Sequence, residues 1–150
     1  MNAQKLNGRW GFVGWLALGA ALWGCSSTLH YVPKGTAKAP EADAKIDADI
    51  DTGTSITKLN IVAEHLAPPD RLNQGGAAFV AWACKSDNDN KSCARIGALN
   101  YDPGSRKGNL TEVTVPMTKF ELKITVESQA SQQDLTGPVV IQQTVGAAAG

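Results

Sequence analysis

The stretch "KFELKITVE", residues 119–127, sets Phe120, Leu122, Ile124 and Val126 on one side and Glu121, Lys123 and Thr125 on the other. A period of two is the repeat of a pleated strand with one buried face, and a helix cannot satisfy it. The same period runs through "KIDADIDT", where Ile46, Ala48 and Ile50 alternate with Asp47, Asp49 and Asp51, and through "ITKLNIVAEHL", with Leu59, Ile61 and Ala63. In "LTEVTVPM", Thr111, Val113 and Val115 alternate with Glu112 and Thr114. "AAFVAWAC" is an apolar run of strand length, and "CARIGALNY" and "PVVIQQTV" complete the series. Gly, Pro, Asn or Asp bounds each segment, and Pro68 and Pro69 keep "APPDRLNQGG" out of a central strand. About seven short strands without a helical period predict an all-β fold, an immunoglobulin-like antiparallel β-sandwich over residues 44–146. Two sheets, each with one face to bury, are expected rather than one open sheet. Trp82, in the apolar strand, is the expected core plug.

The chain opens differently. Lys5 and Arg9 precede an apolar run from Trp10 to Leu22, 13 residues without a charge. A membrane-spanning helix needs about 20 apolar residues, so the run reads as a secretory signal peptide over residues 1–24 rather than an uncleaved anchor. Leu22-Trp23-Gly24-Cys25 resembles a bacterial lipobox, in which a small residue precedes a Cys whose thiol takes a diacylglycerol and becomes the first residue after cleavage. The thiolate is the nucleophile that chemistry needs. The resemblance implies lipidation at Cys25, palmitate-type chains in the membrane, and a place in the bacterial cell envelope facing the periplasm or exterior. Ser26 at the next position favours the outer membrane by similarity to enterobacterial sorting. A plain cleaved signal is the alternative. Residues 25–43 are polar, Pro-punctuated and aperiodic, and they read as a flexible tether; the eighteen residues after Cys25 would span roughly 23 Å as a coil.

Without residues 1–24 the chain keeps 12 basic and 14 acidic residues, a net charge of −2. That excludes a basic stripe for nucleic acid and a polybasic membrane patch. Of the three cysteines, a lipidated Cys25 leaves Cys84 and Cys93, which flank the polar "KSDNDNKS". In an oxidising envelope a disulfide between them is expected, with two free thiols as the alternative.

Several residues carry a family likeness. Leu66, Pro68 and Pro69, then Trp82 closing an aromatic-bearing strand, Gly97 and Leu99, and Thr125 with Glu127 before Thr136-Gly137-Pro138 resemble the extracytoplasmic domain of anti-sigma-K factors over roughly residues 45–145. The resemblance implies a sensor-type domain. It does not carry sigma-factor sequestration, because that activity needs a cytoplasmic domain and a membrane helix.

No catalytic centre emerges. Ser55-Ile-Thr-Lys58 and Ser86-Asp87-Asn88 match fragments of penicillin-binding motifs, yet no K-T-G follows. The aspartates from Asp47 to Asp51 lack the Gly and Glu spacing of a calcium loop, and Asp87 with Asp89 reads as a hairpin tip. His65 has no visible Ser or Cys partner; an enzyme reading requires it buried against an acid in a cleft. Two distant His and two Cys offer no metal-ligand spacing, and no cofactor is expected. Lys85, Lys91, Arg95, Arg106 and Lys107 are expected near one end of the sandwich. The sequence therefore points to a non-catalytic, lipid-anchored binding or sensor module meeting an envelope protein through loops 67–76 and 85–92, or else to a structural lipoprotein without a specific ligand. No small-molecule substrate is evident.

Overall fold

The structure, a computed structural model, describes residues 26–85 and 92–146. Cys25, the segment 1–24, Lys91 and most of the 85–92 loop lie outside the described residues. The chain forms two antiparallel sheets packed face to face. One has five strands in the order β1-β2-β3-β7-β6: β1 (Ser26–Tyr31), β2 (Asp43–Asp51), β3 (Ile56–Glu64), β7 (Lys107–Val115) and β6 (Asn100–Asp102). The other has four in the order β5-β4-β8-β9: β5 (Cys93–Ala98), β4 (Ala78–Cys84), β8 (Phe120–Glu127) and β9 (Val139–Val145). One four-residue helix, α1 (Pro69–Leu72), follows the Pro-Pro turn, with Pro at its first position where a missing N–H costs nothing.

The alternating strands behave as their pattern dictates. Ile46, Ala48 and Ile50 of β2, Leu59, Ile61 and Ala63 of β3, and Leu122, Ile124 and Val126 of β8 are all buried in the core between the sheets. Asp47 and Asp49 face outward on β2. They guard no sheet edge, because β1 covers that side of β2 and Asp47 Oδ1 meets His30 Nδ1 at 2.6 Å.

Three expectations are corrected. Residues 26–43 are not a tether. Ser26–Tyr31 pairs with β2 over six residues, from Ser26 opposite Asp51 to Tyr31 opposite Ile46. The chain then crosses to the other sheet: Gly35 bridges Ile141, Thr36 N–H donates to Val140 O at 2.8 Å, and Ala39 and Ala42 are buried. Backbone pairing holds much of this segment; its apolar share is the small Ala39 and Ala42 in the core and the partly buried Leu29 and Tyr31, so hydropathy scarcely marks it.

Strand β7 also departs from its pattern. Leu59 pairs with Val113 but Ile61 pairs with Leu110, so Thr111 and Glu112 together oppose Asn60. This is a β-bulge. Glu112 takes the left-handed conformation, φ 54°, and its N–H is held by Asn60 Oδ1 at 2.8 Å. The extra residue turns Thr111 outward instead of inward.

Trp82 is fully buried, but not between the sheets. Phe79, Ala81 and Ala83 face the main core, whereas Val80, Trp82 and Cys84 form a second cluster on the outer face of the four-stranded sheet. Leu135 of the 128–138 loop packs on this cluster, and Arg95 Nη2 donates to Ala130 O of the same loop at 2.6 Å. "AAFVAWAC" is continuously apolar because both faces of β4 are covered. At its end Cys84 and Cys93 are directly paired across β4 and β5 and joined by a disulfide.

Candidate functional site

The strand directions define two ends of the sandwich. Ser26, the 52–55 turn, the Cys84–Cys93 disulfide and the 116–119 turn gather at one end. The 32–42 crossover, the 65–77 connection with α1, the 103–106 turn and the 128–138 loop gather at the other. Loop 67–76 and the described ends of the 85–92 segment, Lys85 and Ser92, therefore lie at opposite ends. The expected cationic group is likewise split: Lys85 follows the disulfide end of β4, whereas Arg106 and Lys107 stand at the opposite end.

The Arg106 end holds a pocket of about 180 Å³. Its walls are the 38–42 loop, His65, Ala67, Leu72 and Arg106. The loop is set by successive turns, with Ala39 N–H on Thr36 O and Ala42 N–H on Ala39 O, both 3.0 Å, and Gly35 N–H on Ala42 O at 2.6 Å. A side chain at Gly35 would collide with Ala39 O, the ideal Cβ falling 1.8 Å away, so only glycine admits this closure. His65 and Arg106 both take the left-handed conformation, φ 58° and 56°. Such residues persist where neighbours over-determine them. Here Leu66 N–H donates to Arg106 O at 3.0 Å, while Arg106 Nε donates to Leu66 O at 3.1 Å and its Nη2 to His65 O at 3.0 Å. Tyr101 Oη also donates to Leu66 O, at 3.3 Å, and burial pushes that phenol's pKa upward.

His65 does meet an acid: its Nδ1 lies 2.7 Å from Asp43 Oδ1. Because a carboxylate only accepts, Nδ1 carries the proton. The imidazole side chain is 64% exposed, however, and no serine, threonine or cysteine lines the pocket. Beside it Glu64 accepts from Lys107 Nζ at 2.5 Å, which holds the Glu64 carboxyl below its ordinary range. Glu41 sits 3.5 Å from Arg106 Nη2.

A second hollow, about 350 Å³, lies on the outer face of the five-stranded sheet among Thr28, Asp47, Asp49, Lys58, Asn60 and the bulged Glu112. The Asp49 Oδ1 atom there is buried without a hydrogen-bond partner. Among the described residues, no three His, Cys, Asp or Glu side chains converge in a way that would hold a metal ion. Ser55 stands in the exposed 52–55 turn, where Asp51 Oδ1 accepts from the N–H groups of Gly53 and Thr54.

The most tightly built polar cluster is elsewhere, on the outer face of the four-stranded sheet. Trp82 Nε1 donates to Thr125 Oγ1 at 2.8 Å, and Thr125 Oγ1 donates to Glu127 Oε1 at 2.6 Å. Thr136 Oγ1 donates to Glu127 Oε2 at 2.7 Å, and Gly137 N–H donates to both carboxylate oxygens at 3.1 and 3.0 Å. Burial alone would push the Glu127 carboxyl up; the hydroxyls of Thr125 and Thr136 and the N–H groups of Gly137 and Thr136 outweigh it and hold the pKa below the ordinary value. A side chain on Gly137 would strike Val126 O, with Cβ only 1.7 Å from it. The residues that carry the family likeness thus have structural work. Thr125, Glu127, Thr136 and Gly137 clamp the 128–138 loop onto the sheet, Leu66 and Leu99 are buried, and Gly97 lies against Leu110. Sequence reasoning finds these residues singly and misses their convergence. It singles out His65, and Arg106 only as one of a group of cations, but not Asp43, 22 residues upstream, nor Lys38, and it does not bring them together.

Compared with known proteins, this chain matches no family model, no curated protein and no solved structure.

Proposed function

We propose that the chain is a lipid-anchored protein of the bacterial cell envelope whose β-sandwich binds a partner and catalyses nothing. The observation that carries the anchor is Cys25 itself: a short uncharged apolar run ends in Leu22-Trp23-Gly24 immediately before it. The non-catalytic reading is supported by His65, whose imidazole is largely exposed beside Asp43 at a pocket lined by no serine, threonine or cysteine. The immunoglobulin-like reading is supported by strand order: β2-β3-β7-β6 against β4-β8-β9 follows the ABED and CFG arrangement, with β1 and β5 as two added edge strands. The likeness to the extracytoplasmic domain of anti-sigma-K factors fits a sensor-type module.

Ser26, the first described residue and one past the proposed anchor, is already paired with Asp51 in β1. On this reading the Ser26 end faces the lipid, and the Arg106 end, with the 65–77 connection, faces away. Six residues at about 3.3 Å each put the far end of β1 about 20 Å from its start. Lys85 and Ser92, beside the disulfide, then stand on the lipid side, which leaves the 65–77 connection as the outward binding loop.

Labelling cells with radioactive palmitate tests the anchor. Label is expected on the wild-type protein and absent from Cys25→Ala; label on both, or on neither, refutes it. Cross-linking in intact cells tests the binding reading. A dominant envelope partner, lost when 73–76 is replaced by other small polar residues, supports it. A diffuse set of abundant envelope proteins, unchanged by that replacement, would instead favour a structural lipoprotein.

A further inference from the structure

We infer that the pocket at the Arg106 end is a binding site for the free carboxylate terminus of a peptide ending in a small residue. The inference rests on the binding-module reading and names the chemistry of its outward site.

The size sets the first limit. About 180 Å³ greatly exceeds the roughly 10–15 Å³ that one water requires, and falls below the roughly 300 Å³ where sites for whole drug-sized ligands begin. It therefore suits a chain terminus rather than an entire ligand. The lining sets the chemistry. Ala39, Ala42, Ala67 and Leu72 offer a short aliphatic surface with no polar side-chain atom. Two cations stand at its rim. Lys38 makes no ion pair among the described residues, and its side chain is free to meet an acid. Arg106 is fixed through Nε and Nη2 on the carbonyls of Leu66 and His65, while its Nη1 has no protein partner among the described residues. A guanidinium already held on one edge presents the other to a carboxylate without further loss of freedom. Among the described residues Glu41, 79% exposed, is the one acid paired with Arg106 and so competes for it. Asp43 is occupied by His65 at 2.7 Å and lies 3.8 Å from Lys34. The two left-handed residues that shape the wall, His65 and Arg106, brace each other, so the pocket exists without its occupant.

The test uses the full protein extracted from membranes into detergent micelles, with calorimetric titration of N-acetyl-alanyl-alanine, its C-terminal amide, and propionate. The free acid is expected to bind saturably with Kd on the order of 1 mM, and the amide roughly tenfold more weakly or worse. Lys38→Gln, at an exposed unpaired position, is expected to weaken the acid by roughly fivefold, and Glu41→Gln to strengthen it by a similar factor, the scale of exposed charge pairs. Equal binding of acid and amide, no saturation, or indifference to both substitutions would overturn the site. Propionate binding as tightly as the dipeptide would overturn the peptide and leave a small free acid as the occupant. Cys25→Ala abolishes the proposed anchor but not this pocket. A cross-linked partner that survives Lys38→Gln, with no peptide binding, would sink the site while sparing the module.

Discussion

Replacing Thr125 by Val is expected to be among the most damaging single changes outside the main core. The substitution keeps the shape of the side chain and deletes one hydroxyl, but that hydroxyl serves two partners at once. It accepts from Trp82 Nε1 at 2.8 Å and donates to Glu127 Oε1 at 2.6 Å, and Thr125, Trp82 and Glu127 are 0%, 0% and 1% exposed. No water reaches either partner to replace it. Stranding a buried donor costs about 1–3 kcal/mol, and a hydrogen bond to a charged group contributes about 1.5–3 kcal/mol. The change should cost about 3–5 kcal/mol, a large share of the roughly 5–15 kcal/mol that holds a domain of this size folded. Thr57 supplies the control. It is equally buried, at 0%, but donates only to the neutral carbonyl of Met117, at 2.7 Å, so Thr57→Val should cost about 1 kcal/mol. Urea unfolding followed by fluorescence measures both, and Trp82 is the only tryptophan after residue 24. The two losses should also differ in pH dependence. Glu127 has a folded-state pKa below its unfolded value, so its contribution is full above about pH 4.3 and disappears as pH falls through the lowered folded value. The gap between wild type and Thr125→Val should therefore narrow in acid, whereas the gap for Thr57→Val should not. Equal losses for the two variants at neutral pH, or a Thr125→Val gap unchanged on acidification, would refute the view that a charged carboxylate anchors this face.

Reducing the Cys84–Cys93 bond, or replacing both residues by Ala, should lower stability by about 2–3 kcal/mol for so short a loop, read as a shift in urea midpoint with and without reductant. Gly137→Ala should release the 128–138 loop, because its Cβ would fall 1.7 Å from Val126 O; faster amide exchange across 128–138 than across β2 and β3 is the expected sign. Glu112→Gly should be neutral or stabilising by up to about 1 kcal/mol, since φ 54° suits glycine, whereas Asn60→Ala should destabilise by about 1 kcal/mol as the bulge loses its bond. Thermal unfolding of the pair gives opposite signs if the bulge is strained and held as described.

Alternation reports which face of a strand meets the core, so β2, β3 and β8 are legible from the sequence. It fails where something other than one apolar face holds the strand. Strand β1 is fixed by backbone pairing to β2, with Leu29 and Tyr31 as its sole apolar marks. Strand β7 carries an extra residue at Glu112, which shifts the phase midway. Strand β4 is apolar throughout, and a continuous run cannot say which side Trp82 takes; the loop that makes the outer face dry lies about 50 residues further on. The Arg106 pocket was beyond local patterns for a similar reason. Lys38, His65 and Arg106 come from three different connections, and their meeting depends on which strands are neighbours.

The register of the first strand has a mechanical consequence. Ser26 enters at one end of the sandwich, and all six residues of β1 run from there alongside β2. A force transmitted through residue 25 away from the domain pulls along the strand axis, so the paired residues bear the load together in shear instead of peeling one after another. The crossover at Gly35 and Thr36 then passes that load to β9 of the opposite sheet. Resistance to such a pull is set by an unfolding rate rather than by equilibrium stability. A chain gripped at this point should hold far longer than one gripped at β6, whose three residues pair with β7 alone.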